Sequence, residues 1–406
     1  MKTDQYKLEL APVVCFGDSD WWYHNRGHMD MQFMKQFALF VPVLYVNSIV
    51  VRKLNLTEGT MFIKRVKRKL ASIRKGLTSS GVKNMHVYSP FTMPVHHIPF
   101  ARALNDLSLC WQVKSAMKNL SFKKPLIWVT CPGAAQTAVK IPHSKLVYQR
   151  SDCYEEFPDV DVTQLKKYDQ MLKKHADLVI YANKNLMQKE KSQCLKAVYL
   201  DHGVDFEHFA NAQNDMFVPS QMKDIPSPIA GFYGGIDPHT SDLKFIEEVT
   251  DLLADVSVVM IGNSSVDLTS LKKHKNFFHL CQKPYEILPH YAKLFDVCFM
   301  AWNRNNWIKA CNPVKLKEYL ALGKPVVSTP FPELSPYSDL VNIADNPQDF
   351  AAALKNALET NDPEKIFARK NCVYKSTWQS KSGQVIQTLY NVKLPDNFRS
   401  CEKSCF

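Results

Sequence analysis

The sequence predicts an α/β protein with two doubly wound domains. Short β-rich runs alternate with longer helical patterns along the first half, and the same alternation resumes in the second half. Strands that alternate with helices in this way form parallel sheets covered on both faces. Between the halves, the segment 211–228 is polar, contains prolines and lacks a hydrophobic period, so we expect a domain boundary there.

The first half contains a series of short apolar runs that predict strands. They lie at 12–16, 43–46, 85–88, 126–130, 146–149, 178–181 and 197–200. Helical periodicity is clearest at 29–40, 61–77 and 162–175. This order of elements predicts a doubly wound first domain.

The second half repeats the pattern and adds a helix at its end. The strands are predicted at 229–233, 256–261, 277–280, 297–300, 326–328 and 341–343, with a helix at 242–253. A last helix around 377–390 follows the natural end of this domain.

Composition and length limit the classes of protein that fit. A chain of 406 residues that is 46% hydrophobic can bury sizeable cores, which excludes wholesale disorder. The longest apolar run, 37–46, contains Pro42 and is too short to cross a bilayer. The mixed-charge N-terminus and eleven cysteines without metal-ligand spacing predict reduced thiols in a cytoplasmic protein, without a metal site.

The formal net charge of +12 predicts an anionic partner, whether phosphates, nucleic acid or a lipid surface. Basic residues crowd the predicted helix 61–77, which also carries apolar residues at three- and four-residue steps. Such a helix can lie at the periphery of an anionic membrane, or its apolar stripe can face the domain core.

The segment 311–329, CNPVKLKEYLALGKPVVST, joins a basic loop to a helix and then to a buried strand. We expect Asn312 to cap a helix that begins at Pro313, with free N–H groups and Lys315 at the same end. Glu318 lies among apolar positions and therefore needs a partner. The segment predicts an anion site, although an ordinary, well-capped helix and strand would explain it too.

This segment resembles the nucleotide-sugar signature of GT-B glycosyltransferases, particularly family 4-like enzymes. The resemblance implies two Rossmann-like domains facing a cleft, with the donor diphosphate at Asn312 and Lys315 and the ribose at Glu318. The family pairs two glutamates eight positions apart, and here the earlier position is Ala310. That difference favours a relative with an NPxK variant, such as the inverting glucuronosyltransferase of xanthan assembly.

The resemblance also implies the domain boundaries. The segment 202–209, HGVDFEHF, is similar to the junction that closes the first domain in this family. An acceptor-binding domain would span 1–205 and a nucleotide-sugar-binding domain 206–374, with 375–406 packing back on the first domain.

Further donor-site candidates lie in two loops. In GFYGGID, 231–237, Gly234 and Gly235 would let the backbone approach a ligand, and the corresponding GT-B loop faces the donor phosphates. A plain tight turn explains the same glycines. Lys283 and Arg304 are secondary candidates that would equally suit a solvated surface.

Candidate acceptor-binding residues follow the first strand, since open α/β sheets bind ligands beyond the carboxyl ends of their strands. They are Asp20, Trp21, Trp22, His24 and Arg26. Aromatic faces suit sugar rings, whereas Arg26 and the histidine can bond hydroxyls. Core packing of the two tryptophans is the alternative.

Asp152 is the candidate catalytic residue, because it lies just beyond the strand 146–149, where it can take a proton from an acceptor hydroxyl. A first-domain aspartate has this role in the xanthan-type relatives. The alternative is a helix N-cap. No DxD triplet has the context of a metal-dependent enzyme, so we expect no cofactor beyond the nucleotide-sugar.

The sequence therefore predicts a metal-independent glycosyltransferase that uses a nucleotide-sugar, with UDP favoured over GDP, and a glycan or lipid-linked glycan acceptor. Peripheral contact with an anionic membrane is part of this hypothesis, and no nucleic acid is expected. The alternatives are a nucleotide-sugar 2-epimerase of the same fold and a non-catalytic module that binds membrane or nucleic acid.

Overall fold

A computed structural model describes residues 10–24, 27–49, 60–93, 99–157, 160–360 and 362–392. The chain divides into two compact units. The first runs up to Leu200 and includes Val385–Val392, and the second comprises Asp201–Gln384. Each unit has its own largely parallel sheet with helices between successive strands, which confirms the predicted α/β class.

The strands of the first unit follow the predicted apolar runs closely. They are β1 (Val13–Phe16), β2 (Val43–Val46), β3 (Leu77–Ser79), β4 (Met85–Tyr88), β5 (Leu126–Val129), β6 (Lys145–Arg150), β7 (Leu178–Tyr181) and β8 (Ala197–Tyr199). Their order in the sheet is β3-β4-β2-β1-β5-β6-β7-β8, and only the β3–β4 pair among them is antiparallel. The chain progresses in opposite directions from β1, so the carboxyl ends of β1 and β5 form a topological switch point.

Six helices connect these strands within the described part of the first unit. They are α1 (Met29–Phe37), α2 (Thr60–Arg74), α3 (Pro99–Asn119), α4 (Ala135–Lys140), α5 (Val162–His175) and α6 (Lys184–Glu190). The central strands read VVCF, VLYV and LIWV and are buried throughout, because helices cover both faces of the sheet.

The predicted helix 61–77 extends too far. It ends at Arg74, and Leu77 begins β3 instead. Gly76 has φ +60°, a left-handed conformation that terminates helices and that glycine adopts without strain. The predicted helix 29–40 is also too long, since α1 ends at Phe37.

The second unit contains a six-stranded parallel sheet among its described residues. Its strands are β9 (Ile229–Tyr233), β10 (Ser257–Ile261), β11 (Phe277–Leu280), β12 (Val297–Met300), β13 (Val326–Ser328) and β14 (Val341–Ile343). Their order is β11-β10-β9-β12-β13-β14. The switch point of this sheet therefore lies at the carboxyl ends of β9 and β12.

The helices of the second unit include the predicted ligand-site helix. They are α7 (Phe206–Ala210), α8 (Leu243–Leu252), α9 (Leu288–Ala292), α10 (Asn306–Lys309), α11 (Val314–Ala321), α12 (Pro347–Glu359), α13 (Pro363–Tyr374) and α14 (Trp378–Tyr390). Residues of α14 from Val385 onward belong to the first unit. Over the described residues, no helix has both the length and the apolar content that crossing a bilayer requires.

Candidate functional site

The N-terminus of α11 differs by one residue from the prediction. Pro313, with φ −79° and ψ 123°, is the N-cap residue, and the helix begins at Val314. The prediction that Asn312 caps a helix starting at Pro313 is therefore wrong, because the extended ψ of Pro313 places it outside the helix. The cap makes no side-chain hydrogen bond to the first turn, so the helix dipole and its N–H groups can receive an anion.

Lys315 lies in the first turn of α11 and is surrounded by aromatic rings. Its Nζ is 4.4 Å from the ring centre of Phe232 and 5.4 Å from that of Trp302. Within the ranges that the structure describes, Nζ forms no ion pair or hydrogen bond. Burial lowers the pKa of Lys315 to about 8, against the opposing influence of Cys311 and Glu318. Glu318 and Asp237 partly compensate this partly buried cation, but among the described residues neither forms an ion pair with it.

Two glycines bring the carboxyl ends of β9 and β10 together beside Lys315. Gly234, at φ +148°, would place a Cβ only 2.4 Å from the Lys315 Nζ. Gly262, at φ +156°, would place a Cβ 1.8 Å from the Gly234 carbonyl oxygen. Both positions therefore exclude a side chain, and the backbone and the ammonium group remain close. Gly234 and the exposed Gly235 were predicted from the sequence, whereas Gly262 was not, although it directly follows a predicted strand.

Glu318 is buried one turn further along α11, and its expected partner is confirmed. Its Oε2 accepts a hydrogen bond of 2.7 Å from the Tyr233 hydroxyl, and the Tyr285 hydroxyl also bonds to it. Burial raises the pKa of Glu318 to about 7, against these hydrogen bonds and the Lys315 charge. Tyr319 supports the arrangement, since its hydroxyl accepts from the Tyr233 backbone N–H at 3.1 Å.

The secondary donor candidates have their own partners. Lys283 donates to Gln221 Oε1 and lies 5.2 Å from the ring centre of Tyr291. Arg304 forms an ion pair with Asp345, and both side chains are more than half exposed. The surface-charge alternative therefore fits Arg304. Asn312 is partly buried and directly precedes the N-cap residue.

The residues after β1 are largely engaged inside the first unit. Trp21 has no exposed surface, its backbone N–H donates to Asn47 Oδ1 at 2.9 Å, and its indole N–H donates to the Ser80 carbonyl at 3.2 Å. Asp20 is buried and accepts from the Trp22 N–H at 2.9 Å and from the Ser72 hydroxyl at 2.6 Å. These contacts make Trp21 a packing residue, the alternative that the sequence left open.

Two of the remaining acceptor candidates are accessible. Trp22 is partly exposed, and the Lys75 Nζ lies 4.2 Å from its ring centre. His24 is exposed, with its ring 6.1 Å from that of His28. Arg26 lies outside the described residues.

Asp152 follows β6, as predicted, and its carboxyl group is not a helix cap. Cys153 occupies the N-cap position of the short 3-10 turn that follows. Burial raises the pKa of Asp152 to about 6, although the nearby Arg150 opposes the shift. A partly buried carboxyl with a pKa in this range suits general-base chemistry.

A buried network of charged side chains around Arg150 holds the loop that contains Asp152. Arg150 has no exposed surface and donates to the Asp152 carbonyl oxygen at 2.8 Å and to Glu155 at 2.7 Å. It also pairs with Asp169 and Glu190. This network could not be predicted from the sequence, because its members lie on separate elements and share no spacing signal.

The described parts of both units contain no group of three or more His, Cys, Asp or Glu residues that could hold a metal ion. Within the ranges that the structure describes, the Lys315 ammonium group and the Asp152 carboxyl group form no ion pair or side-chain hydrogen bond, although charged neighbours influence both. Lys315 is therefore the candidate anion-binding group of the second unit, and Asp152 is the candidate base of the first.

No protein-family model matches the chain. Solved structures do match nearly its whole length. Sucrose-phosphate synthase from Thermosynechococcus elongatus has a TM-score of 0.63 and 13% identity, covering 94% of this chain and 100% of that one. Anabaena HepE in complex with UDP-glucose has a TM-score of 0.62 and 13% identity, with 94% and 100% coverage. The α,α-trehalose 6-phosphate synthase from Burkholderia multivorans has a TM-score of 0.60 and 13% identity, with 94% and 98% coverage.

These neighbours and the two parallel-sheet units define the fold as GT-B, the architecture of a large class of glycosyltransferases. The chain shares this architecture. In sequence it is similar to a Bacillus subtilis strain 168 protein, provisionally named the teichuronic acid biosynthesis glycosyltransferase TuaH. The two are 26% identical over 282 residues, which are 64% of this chain and 70% of that protein.

Proposed function

We propose that the protein transfers a sugar from a nucleotide-sugar donor, bound at the start of α11, to a hydroxyl group of a glycan or lipid-linked glycan. The observation that carries this proposal is Lys315. Its partly buried ammonium group lies at a helix N-terminus without a side-chain cap and forms no ion pair among the described residues, although Glu318 and Asp237 lie near enough to influence it. A diphosphate supplies the missing charge and accepts hydrogen bonds from the helix N–H groups.

The donor roles follow from the contacts around α11. The diphosphate would lie against Lys315 and the side-chain-free backbone at Gly234 and Gly262. Glu318, which already accepts hydrogen bonds from Tyr233 and Tyr285, would bond the ribose hydroxyls with the remaining acceptor capacity of its carboxylate. Asn312 and Lys283 are the other residues proposed to bind the nucleotide-sugar. Ala310 occupies the position of the first glutamate of the family 4-like enzymes, which supports a relationship to those with the NPxK variant.

The nucleoside is proposed to be uridine, with guanosine as the second choice. The support is indirect: the HepE neighbour was solved with UDP-glucose. The reaction is proposed to need no metal ion, because Lys315 and the helix dipole can neutralise the leaving diphosphate.

Asp152 is proposed as the general base. It removes the proton from the acceptor hydroxyl while that oxygen bonds to the anomeric carbon of the sugar. The bond from the anomeric carbon to the diphosphate oxygen breaks, and its electron pair leaves with the nucleoside diphosphate. The raised pKa of Asp152, about 6, supports this role, because the group is ionised at neutral pH yet remains a useful proton acceptor.

The acceptor is proposed to be a growing glycan, with Trp22 and His24 as the accessible contacts of the first unit. The name of the TuaH relative refers to teichuronic acid, which supports a polysaccharide acceptor. A cytoplasmic location, at the cytoplasmic face of a membrane that carries a lipid-linked acceptor, completes the proposal.

Thermal-shift measurements with uridine, guanosine and adenosine diphosphates test the donor site. A ligand that binds the native state raises its stability, by about 2.7 kcal/mol at a hundredfold excess over Kd. We expect UDP to stabilise the parent protein and the Lys315→Ala and Glu318→Ala variants to lose most of the shift. Lys244→Ala, which removes a lysine that is 88% exposed, is the matched control. The absence of any nucleotide shift in the parent protein would refute the proposal.

A further inference from the structure

The helix α3 carries two apolar stripes on opposite sides. One stripe, which includes Leu109, Val113 and Met117, packs into the core of the first unit. The other points outward and consists of Phe100, Leu104, Leu107 and Trp111, which are 74%, 42%, 62% and 72% exposed. Steps of four, three and four residues align these four side chains along the helix. They are called the outer stripe below.

Positive charge continues the outer stripe toward the C-terminus of α3. Lys114 and Lys118 follow Trp111 at the same helical steps and are exposed. Lys123 and Lys124 are exposed just beyond the helix end. No acidic residue occurs between positions 107 and 124. The outer side of α3 is therefore apolar along its N-terminal part and positively charged at its C-terminal end.

Phe91 adds an exposed aromatic side chain on the loop that is hydrogen-bonded to α3 at Gln112. Its backbone N–H and carbonyl both bond to the side chain of Gln112, at 2.9 and 2.8 Å. The Phe91 side chain is 53% exposed. The two hydrogen bonds fix this loop against α3, so the apolar surface is wider than the helix alone.

We propose that the outer stripe docks the first unit on an anionic membrane surface. Its apolar side chains would enter the boundary between headgroups and acyl chains, while the lysines meet anionic headgroups. Trp111 lies where the apolar and basic segments meet, the position that tryptophan favours at membrane interfaces. This inference rests on the proposed function in that a lipid-linked acceptor would be presented at such a surface.

A second copy of the chain fits the outer stripe less well. The exposed parts of its four apolar side chains amount to roughly 400 Å², given 150–250 Å² for a whole aromatic side chain, about half of what each partner buries in a standard interface. In a parallel pairing of two α3 helices the lysines would meet lysines, and in an antiparallel pairing they would be buried against Phe100 and Leu104. Both arrangements cost free energy that an anionic membrane does not impose.

The location differs from the sequence prediction, which placed membrane contact on the helix 61–77. In the structure, Val66 and Leu70 of α2 are exposed. However, Lys69 donates to the Ser48 carbonyl at 2.8 Å and Ser72 bonds to Asp20, so part of α2 is tied to its own unit. Among the side chains that the structure describes, which exclude those of residues 60–65, the more exposed apolar surface belongs to α3.

Co-sedimentation with vesicles tests the docking surface. The full chain is mixed with vesicles of phosphatidylcholine alone or of an equimolar mixture with phosphatidylglycerol. We expect the parent protein to bind the anionic vesicles and Leu107→Gln/Trp111→Gln to bind at least tenfold less tightly. The control Leu195→Gln/Phe367→Gln changes side chains that are 75% and 59% exposed elsewhere and should bind like the parent. Lys114→Gln/Lys118→Gln should weaken binding to the anionic vesicles about tenfold.

Three outcomes would overturn the proposal. The first is that the parent protein binds neither kind of vesicle, and the second is that Leu107→Gln/Trp111→Gln binds as tightly as the parent. The third is that the parent protein is a dimer in sedimentation velocity and Leu107→Gln/Trp111→Gln is a monomer. The UDP thermal shift is measured on the same variants and should not change. A retained shift with lost vesicle binding separates membrane docking from donor binding, whereas an absent shift in the parent refutes the donor site alone.

Discussion

The two candidate sites each contain a pair of ionisable residues two positions apart, and in each pair only one residue has internal partners. On α11, Lys317 pairs with Asp201 and donates to the Ser376 hydroxyl at 2.7 Å, whereas Lys315 has aromatic neighbours. After β6, Arg150 binds Glu155, Asp169 and Glu190, whereas the Asp152 carboxyl lies near the Arg150 charge and forms no ion pair with a residue that the structure describes.

On the basis of this difference, we propose a structural role for Lys317 and Arg150 and a functional role for Lys315 and Asp152. The two lysines illustrate it most clearly, since burial lowers the pKa of both to about 8. A shifted pKa therefore does not identify the functional residue. What distinguishes Lys315 is that no described residue forms an ion pair with it, and the same criterion is the reason for proposing Asp152 rather than Arg150 as a functional residue.

The largest expected effect concerns Asp152. Asp152→Asn keeps the size of the side chain but removes the proton acceptor, so kcat should fall by about 10²–10⁴-fold. Donor binding should not change, because the substituted group lies in the first unit. Transfer from the donor is measured by release of nucleoside diphosphate. Unchanged turnover would remove Asp152 from the base role.

The second prediction compares how much each of the two lysines contributes to the free energy of unfolding. Lys317→Met leaves the partly buried Asp201 with one cation fewer, and we expect a loss of about 3 kcal/mol in the free energy of unfolding. Lys315→Met removes a partly buried charge that forms no ion pair with a described residue and should cost less than about 1 kcal/mol. Urea unfolding measures both values, and Lys317→Arg serves as the charge-retaining control. Equal losses for the two methionine variants would contradict the distinction.

The smallest effect is a pH dependence of donor affinity. Lys315 is protonated below its pKa of about 8 and loses the proton as the pH rises. The affinity for UDP should therefore fall about tenfold between about pH 7 and about pH 9. Calorimetric titration at several pH values measures this slope, and Lys315→Met should abolish it. A flat profile in the parent protein would show that the lysine charge does not contribute.

The fold could be read from the sequence because buried parallel strands are continuous apolar runs. The predicted strands at 43–46, 178–181 and 229–233 coincide with β2, β7 and β9 at every residue. Helix ends were harder, as Gly76 shows: its helix-terminating conformation depends on φ, which composition alone does not fix. The short strand β3 carries too few residues to produce a periodic signal.

The site was only partly predictable, because partners are set by tertiary structure. The spacing of Lys315 and Glu318 was visible in the sequence, but not that Tyr233, 85 positions away, would bond to Glu318. The two tryptophans after β1 looked alike, yet Trp21 is buried in the core while Trp22 remains partly exposed. Pattern alone cannot separate such neighbours, since their difference depends on Asn47 and Ser80.

The most direct test of the central claim is calorimetric titration of UDP into the parent protein, Lys315→Met and Lys317→Met at neutral pH. If the unmatched charge of Lys315 holds the diphosphate, its loss should raise Kd by about 30- to 100-fold, the equivalent of one charge-assisted contact. Lys317→Met, while folded, should bind UDP within about threefold of the parent, because its charge is satisfied inside the protein. Equal affinities for the parent and Lys315→Met would contradict the account.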